Sequence, residues 1–135
     1  METQEQLLAA ARAARARAYA PYSRFAVGAA VLTRSGAIVT GANVENASYG
    51  LSLCAERAAL ARALQEGHRP GEIVAVAVAT DAPAPAPPCG ACRQWLLELA
   101  AGAVVYCAGA PDAGPPLVAT VAELLPHAFG PRHLA

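Results

Sequence analysis

The chain has 135 residues, 56% of them hydrophobic and 15% charged, with a formal net charge of zero. The length suits one domain spanning residues 1–135, and the lack of a basic field leaves no electrostatic support for holding a nucleic acid. No apolar run approaches a membrane span, no charged-then-apolar leader opens the chain, and four cysteines are too few for a disulfide scaffold, so a cytoplasmic chain is expected. Much of the apolar excess is alanine, which leaves either an alanine-rich surface or a face buried in an oligomer.

Thr3-Gln4-Glu5-Gln6 has the form of a capping box, with Thr3 as N-cap of a first helix that Pro21 ends by about Ala20. Phe25 to Thr33 is predicted as a buried strand, Arg34-Ser35-Gly36 as a turn, and Ala37 to Asn43 as the antiparallel return, with Gly28 where backbone passes closely. Asn43 and Glu45 follow at a strand end. Alternation would put both side chains on one side, although such residues at strand ends also simply make turns.

Cys54-Ala55-Glu56-Arg57 opens the next helix, which stops at Gly67. Glu72 to Thr80 is apolar on both faces, as expected of a central strand covered on both sides. Asp81 to Pro88 carries four prolines in six residues from Pro83 and is expected to be a stiff loop. It delivers Pro88-Cys89-Gly90-Ala91-Cys92, the start of a helix with Trp95, Leu96 and Leu99 on its apolar face. Val104 to Ala108 and Leu117 to Ala119 are predicted strands, and Thr120-Val121-Ala122-Glu123 is a second capping box. Helices alternating with strands after one hairpin imply a mixed five-stranded sheet layered between helices, an α/β fold.

The chemistry lies in the two cysteine motifs, separated by 34 residues between Cys54 and Cys89. Three thiolates at two helix starts are three of the four ligands of zinc, and an open fourth position marks a catalytic site. His68, His127 and His133 have no ligand spacing to either motif. Glu56, two residues after the first ligand, is placed to act on what fills the open position. Zinc with three thiolates carries net charge −1, so something must draw charge back. The positive ends of the two helices and the Arg57 guanidinium can do so, and Arg93 follows Cys92 in the same manner. Cys107, in a strand-like run, is expected to be a core residue.

Pro21-Tyr22-Ser23-Arg24-Phe25, Val27-Gly28-Ala29-Ala30, Asn43-Val44-Glu45-Asn46-Ala47, Cys54-Ala55-Glu56-Arg57, Pro88-Cys89-Gly90-Ala91-Cys92-Arg93-Gln94 and Leu124-Leu125-Pro126 with Phe129 together resemble the small, homotetrameric, zinc-dependent cytidine deaminases. The resemblance covers nearly the whole chain. It implies a three-layer α/β/α fold, one Zn2+ per chain held by Cys54, Cys89 and Cys92, and hydrolytic deamination of cytidine and 2′-deoxycytidine in pyrimidine salvage. In that likeness Glu56 moves the protons, Asn43 and Glu45 hold the ribose hydroxyls, Phe25 stacks on the base and the Ala55 N–H meets pyrimidine O2. Tyr49 and Phe129 reach into neighbouring sites, so active sites are shared in the homotetramer. Three rivals are a blasticidin-type deaminase, a structural zinc module and a polynucleotide editor. They are opposed in turn by the Asn43–Asn46 pattern, the missing fourth ligand, and the neutral charge on a short chain.

Overall fold

A computed structural model describes residues 2–134. Its elements are helix α1 (Glu2–Ala14), strands β1 (Gly28–Thr33) and β2 (Ile38–Ala42), helix α2 (Ala55–Gln65), strand β3 (Ile73–Ala79), helix α3 (Gly90–Leu99), strands β4 (Val104–Ala108) and β5 (Leu117–Thr120), and helix α4 (Val121–Leu124). The five strands form one mixed sheet in the order β2-β1-β3-β4-β5. β1 runs antiparallel to both β2 and β3, β3 and β4 are parallel, and β5 returns antiparallel to β4. The parallel pair is joined by a crossover through α3, as parallel strands require.

Residue size on β3 explains the layering. Its residues Ile73, Val76 and Val78 face one core, packed under α2, α3 and α4 with Leu60, Leu96 and Val121. Ala75, Ala77 and Ala79 face the other, where α1 seats Leu7, Leu8 and Ala11 on them and on Ala30 and Ala108. An alanine floor lets α1 lie close to the sheet. At Gly28 the approach is closest, because a Cβ there would stand 1.9 Å from the Ala11 carbonyl oxygen. Part of the alanine excess thus sits inside the molecule, on the α1 face of the sheet. Each fully buried leucine, such as Leu60 or Leu96, contributes about 1.5–3 kcal/mol.

Two sequence expectations fail at the N-terminal end. Thr3 lies inside α1 and not at its cap, because the surrounding Gln and Glu residues are good helix formers and the helix extends past it. The helix also gives way to a short 3-10 turn, Arg15–Arg17, well before Pro21. The Arg15 Nε donates to Ala26 O at 3.0 Å, and Tyr19 then pairs with the 43–45 segment, its N–H donating to Asn43 O at 2.9 Å. Long-range partners take this chain out of the helix. The second capping box is present, with Thr120 and Glu123 exchanging bonds at the start of α4.

Large apolar side chains remain exposed, among them Tyr22, Tyr49, Leu51, Val118 and Phe129. Among the described residues no helix is long and apolar enough to cross a membrane.

Candidate active site

Two helix starts and one short ladder converge at the end of the sheet. Cys54 is the N-cap of α2 and Cys89 the N-cap of α3, and Cys92 lies fully buried in the first turn of α3. Gly41 lets α2 settle onto β2, since a Cβ there would meet Ala59 N at 2.4 Å. The three sulfur atoms lie within 4.8 Å of one another, and Cys54 and Cys89 Sγ are 3.7 Å apart. Zinc–sulfur bonds of about 2.3 Å in a tetrahedron place sulfurs about 3.8 Å apart, so this spacing fits a zinc ion. The electrostatics fit as well. Cys54 is pulled down to about 5, first by the hydrogen bond from Cys92 and then, against burial, by Arg57. Cys92 is pushed strongly up, first because it donates to Cys54 and then by burial. Three crowded thiols cannot all ionise by themselves, and a bound cation removes that conflict.

Arg57 takes the compensating place. Its NH2 group donates to Cys54 Sγ at 3.3 Å and to Ser52 O at 3.4 Å, while its buried Nε has no partner among the described residues. The guanidinium is held further toward its charged form, chiefly by the bond to Cys54. Arg93 does something else. Its Nε donates to Pro88 O and its NH1 group to Leu124 O, both at 2.8 Å, so it ties the cysteine loop to α4 by backbone carbonyls and makes no bond to the sulfurs.

Glu56 occupies the first turn of α2 and is only 5% exposed. Burial is the main reason its carboxyl is pushed up to about 7, with a further push from Cys54 that Arg57 opposes. Glu56 lines a cavity of about 300 Å³ together with Phe25, Asn43, Glu45, Ala55, Cys54 and Cys89. That volume is at the small end for ligand sites. Ala55 is the first residue of α2, where N–H groups have no partner within the helix.

Asn43 and Glu45 both face this cavity, held there by the 43–45 segment. Val44 exchanges backbone bonds with Leu53 at 2.9 and 2.8 Å, and the Glu45 N–H donates to Tyr19 O at 2.8 Å. Asn43 is buried; its Oδ1 accepts from Val27 N at 2.8 Å and its Nδ2 donates to Phe25 O at 2.9 Å. It thus fixes the backbone on both sides of Ala26 and aims Phe25. Glu45 accepts from the Tyr22 and Ser23 N–H groups at 3.0 and 3.1 Å and from the Ser23 hydroxyl. The Ser23 hydroxyl is the chief reason its carboxyl lies below the ordinary range. Arg24, with φ of 58°, makes the turn that lets Ser23 and Phe25 both reach the cavity.

Ser23, Ser52 and Thr80 also line the cavity and were not singled out from sequence. Small hydroxyl residues in loops carry no periodic signal, and only the Pro21–Phe25 likeness touched one of them. Tyr49 lies beyond Glu45, in an adjoining space of about 360 Å³ shared with Tyr22, Ser23 and Ser52. It is 76% exposed and meets Tyr22 edge-on, with ring centroids 6.2 Å apart. Phe129 lines neither space. It is 60% exposed, stacks on His133 with centroids 5.3 Å apart, and its carbonyl accepts from Gln94 Nε2 at 2.9 Å. Cys107 is a core residue whose thiol burial pushes up to about 12.

A mixed sheet between helix layers, with three thiols meeting at two helix starts, defines a zinc-binding α/β/α domain. The family model described as "Cytidine and deoxycytidylate deaminase zinc-binding region" matches residues 1–108. The chain belongs to that family. It is 52% identical over 126 residues to the cytidine deaminase of Halalkalibacterium halodurans, covering 93% of this chain and 92% of that one. The crystal structure of cytidine deaminase from Burkholderia pseudomallei superposes with a TM-score of 0.87 at 50% identity, over 93% of this chain and 98% of that chain. The cytidine deaminase structure from Mycobacterium tuberculosis gives 0.77 at 42% identity, over 93% and 96%.

Proposed function

We propose that this chain is a zinc-dependent hydrolase that converts cytidine and 2′-deoxycytidine, with water, to uridine and 2′-deoxyuridine, releasing ammonia. The observation that carries this is a buried carboxyl, Glu56, set beside three sulfurs of zinc-site spacing in a cavity of about 300 Å³. Zinc bound by Cys54, Cys89 and Cys92 supplies the Lewis acidity that makes water a nucleophile near neutral pH. Glu56 takes a proton from that water and gives it to ring N3, which makes C4 electrophilic. The oxygen left by that deprotonation adds to C4, and Glu56 then carries the second proton from this oxygen to the amino group, whose C4–N bond breaks to leave the C4 carbonyl and ammonia. One carboxylate serving several transfers contributes about 10²–10⁴-fold for each. Arg57 and the starts of α2 and α3 offset the thiolate charge. The Ala55 N–H donates to pyrimidine O2, and Phe25, fixed through Asn43, stacks on the ring.

The sugar side supports a nucleoside. Glu45 and Asn43 offer acceptors and a donor for ribose hydroxyls. Apart from the cysteines, the ionising groups that this chain's described residues place along the cavity and the adjoining space are Glu45, Glu56, Tyr22 and Tyr49, and none of these is a cation that could receive a 5′-phosphate. Cytidine should therefore be turned over, free cytosine should be poor by as much as ~10⁴ in kcat/KM, and cytidine 5′-monophosphate should be rejected. Comparable kcat/KM for cytosine and cytidine would remove the ribose contacts from the account.

Assembly belongs to the same proposal. Tyr49, in the space adjoining the site, and Phe129 are largely exposed aromatics, and both suit burial against a second copy. A homotetramer with shared active sites accounts for them. Four free thiols suit a reducing compartment, and the cytoplasm is the place proposed for the chain.

A further inference from the structure

We propose that residues 82–88 form a rigid strut, seated on Gly109 and held there by Arg12 of α1, whose position sets the wall of the substrate cavity and hence the affinity for the nucleoside. This rests on the substrate reading above. Every residue from Ala82 to Pro88 is a proline or directly precedes one. Proline fixes its own φ and drives the residue before it to extended backbone, so the segment has no internal hinge. It also keeps few N–H groups with which to bond along its length. Its position is therefore decided at its two ends.

The first end rests on the loop after β4. Ala110 N–H donates to Ala82 O at 2.8 Å, Thr80 N–H to Ala108 O at 3.0 Å, and Ala82 N–H to the Thr80 hydroxyl at 3.1 Å. Gly109 is the point of contact: a Cβ there would lie 2.6 Å from Ala82 O and 2.9 Å from both Ala84 C and Ala113 Cβ. The Gly109 carbonyl in turn accepts from Arg12 NH1 at 3.1 Å, which ties the seat to the α1 layer across the sheet. The second end is Pro88, buried, its carbonyl taken by Arg93 at 2.8 Å, with the metal ligand Cys89 next in the chain. Between the ends, Ala86 and Pro87 face the cavity that holds Glu56 and Phe25.

A stiff segment held at both ends moves as a lever. Relieving the 2.6 Å contact to an ordinary 3.4 Å shifts the Ala82 end by about 0.8 Å. Arg93 and Cys89 hold the far end, so the wall at Ala86 and Pro87 shifts while the metal ligands stay. Arg12 acts through Gly109 and is a positioning residue. The perturbation falls on binding and not on proton transfer.

The test uses the purified zinc-loaded protein with Gly109→Ala, Arg12→Met and Arg12→Lys. Zinc per chain, kcat and KM for cytidine, and the uridine Kd by calorimetry are measured for each. In Gly109→Ala, KM and the uridine Kd should rise together by about tenfold, with kcat within about twofold and zinc unchanged, the signature of a lost uniform binding contribution. Arg12→Met should raise both by about three- to tenfold, and Arg12→Lys, which keeps a donor, should recover most of the loss. Unchanged KM and Kd in a folded Gly109→Ala, or a fall in zinc or kcat at constant KM, overturns the proposal. If Gly109→Ala does not fold, the Arg12 pair decides, and equal Kd values for Met and Lys overturn it. A parent enzyme that turns over cytidine while the variants match it sinks this inference alone. A parent that neither turns over cytidine nor binds uridine sinks the substrate reading with it.

Discussion

Replacing Arg57 with methionine keeps much of the side-chain volume and removes the charge. Arg57 NH2 stands 3.3 Å from Cys54 Sγ, and that bond leads the forces holding the guanidinium charged. Hydrogen bonds to charged groups contribute about 1.5–3 kcal/mol, which at about 1.4 kcal/mol per decade corresponds to about 10- to 100-fold. Cys54 also loses a cause of its low pKa, so its thiolate becomes harder to form and proton competition for the ligand grows. Zinc affinity, read by competition with a chromophoric chelator at fixed pH, should fall by about 10- to 100-fold, and kcat should fall with it. Arg57→Lys should recover only part of the loss, because a point charge cannot serve both Cys54 and Ser52 O as the guanidinium does. An Arg57→Met protein with parental zinc affinity and kcat would refute the charge-compensation argument and return Arg57 to a packing role.

Asn43→Ala leaves Val27 N–H and Phe25 O without their partner. It should cost about 1–3 kcal/mol of stability, seen in thermal unfolding, and raise KM for cytidine; an unchanged KM would show that Phe25 needs no such fixing. Glu45 should titrate below the ordinary carboxylate range by carbon-13 NMR, and Ser23→Ala should bring it back up. A depressed folded-state pKa stabilises the fold above the ordinary carboxylate pKa and ceases to do so as pH falls through the depressed value, so Ser23→Ala should weaken the protein on the neutral side and not in strong acid. Phe129→Ala and Glu56→Gln should each be inactive, and mixing the two with subunit exchange should restore part of the activity if Phe129 serves a neighbour's site. A fully active Phe129→Ala, or an active monomer in sedimentation, would end the shared-site proposal.

The cysteine cluster was legible because its chemistry is local. A cysteine at each of two helix starts, one in a C-x-E and one in a C-x-x-C, declares both the donor and the element that aims it. The strand cores were legible because Ile73–Ala79 and Val104–Ala108 are continuous apolar runs. The β1–β2 hairpin was legible from its Arg34-Ser35-Gly36 turn, but the rest of the sheet order was not, since β1 also pairs with β3 through contacts that no local pattern encodes. The stretch from Arg15 to Ala20, expected to be helix, was misread for the same reason: Arg15 and Tyr19 leave the helix for partners at Ala26 and Asn43. Arg57 and Arg93 illustrate the limit within the site itself. Both directly follow a residue of a cysteine motif, yet Arg57 lies beside Cys54 while Arg93 is drawn to Pro88 O and Leu124 O. Asn43 and Glu45 were correctly placed on one side by strand alternation, but the backbone bonds that position them come from residues about twenty positions upstream.

Glu56 is the residue on which the catalytic account turns. It is buried in the first turn of α2, beside the sulfurs, and is not part of the three-cysteine cluster. Glu56→Gln keeps its size and removes its capacity to carry protons. The decisive measurement is cytidine turnover, followed by ultraviolet absorbance, with zinc determined on the same purified sample. The account predicts one zinc per chain in both proteins and a fall in kcat of well over ~10²-fold in the variant. A variant that keeps its zinc and a near-parental kcat would contradict it.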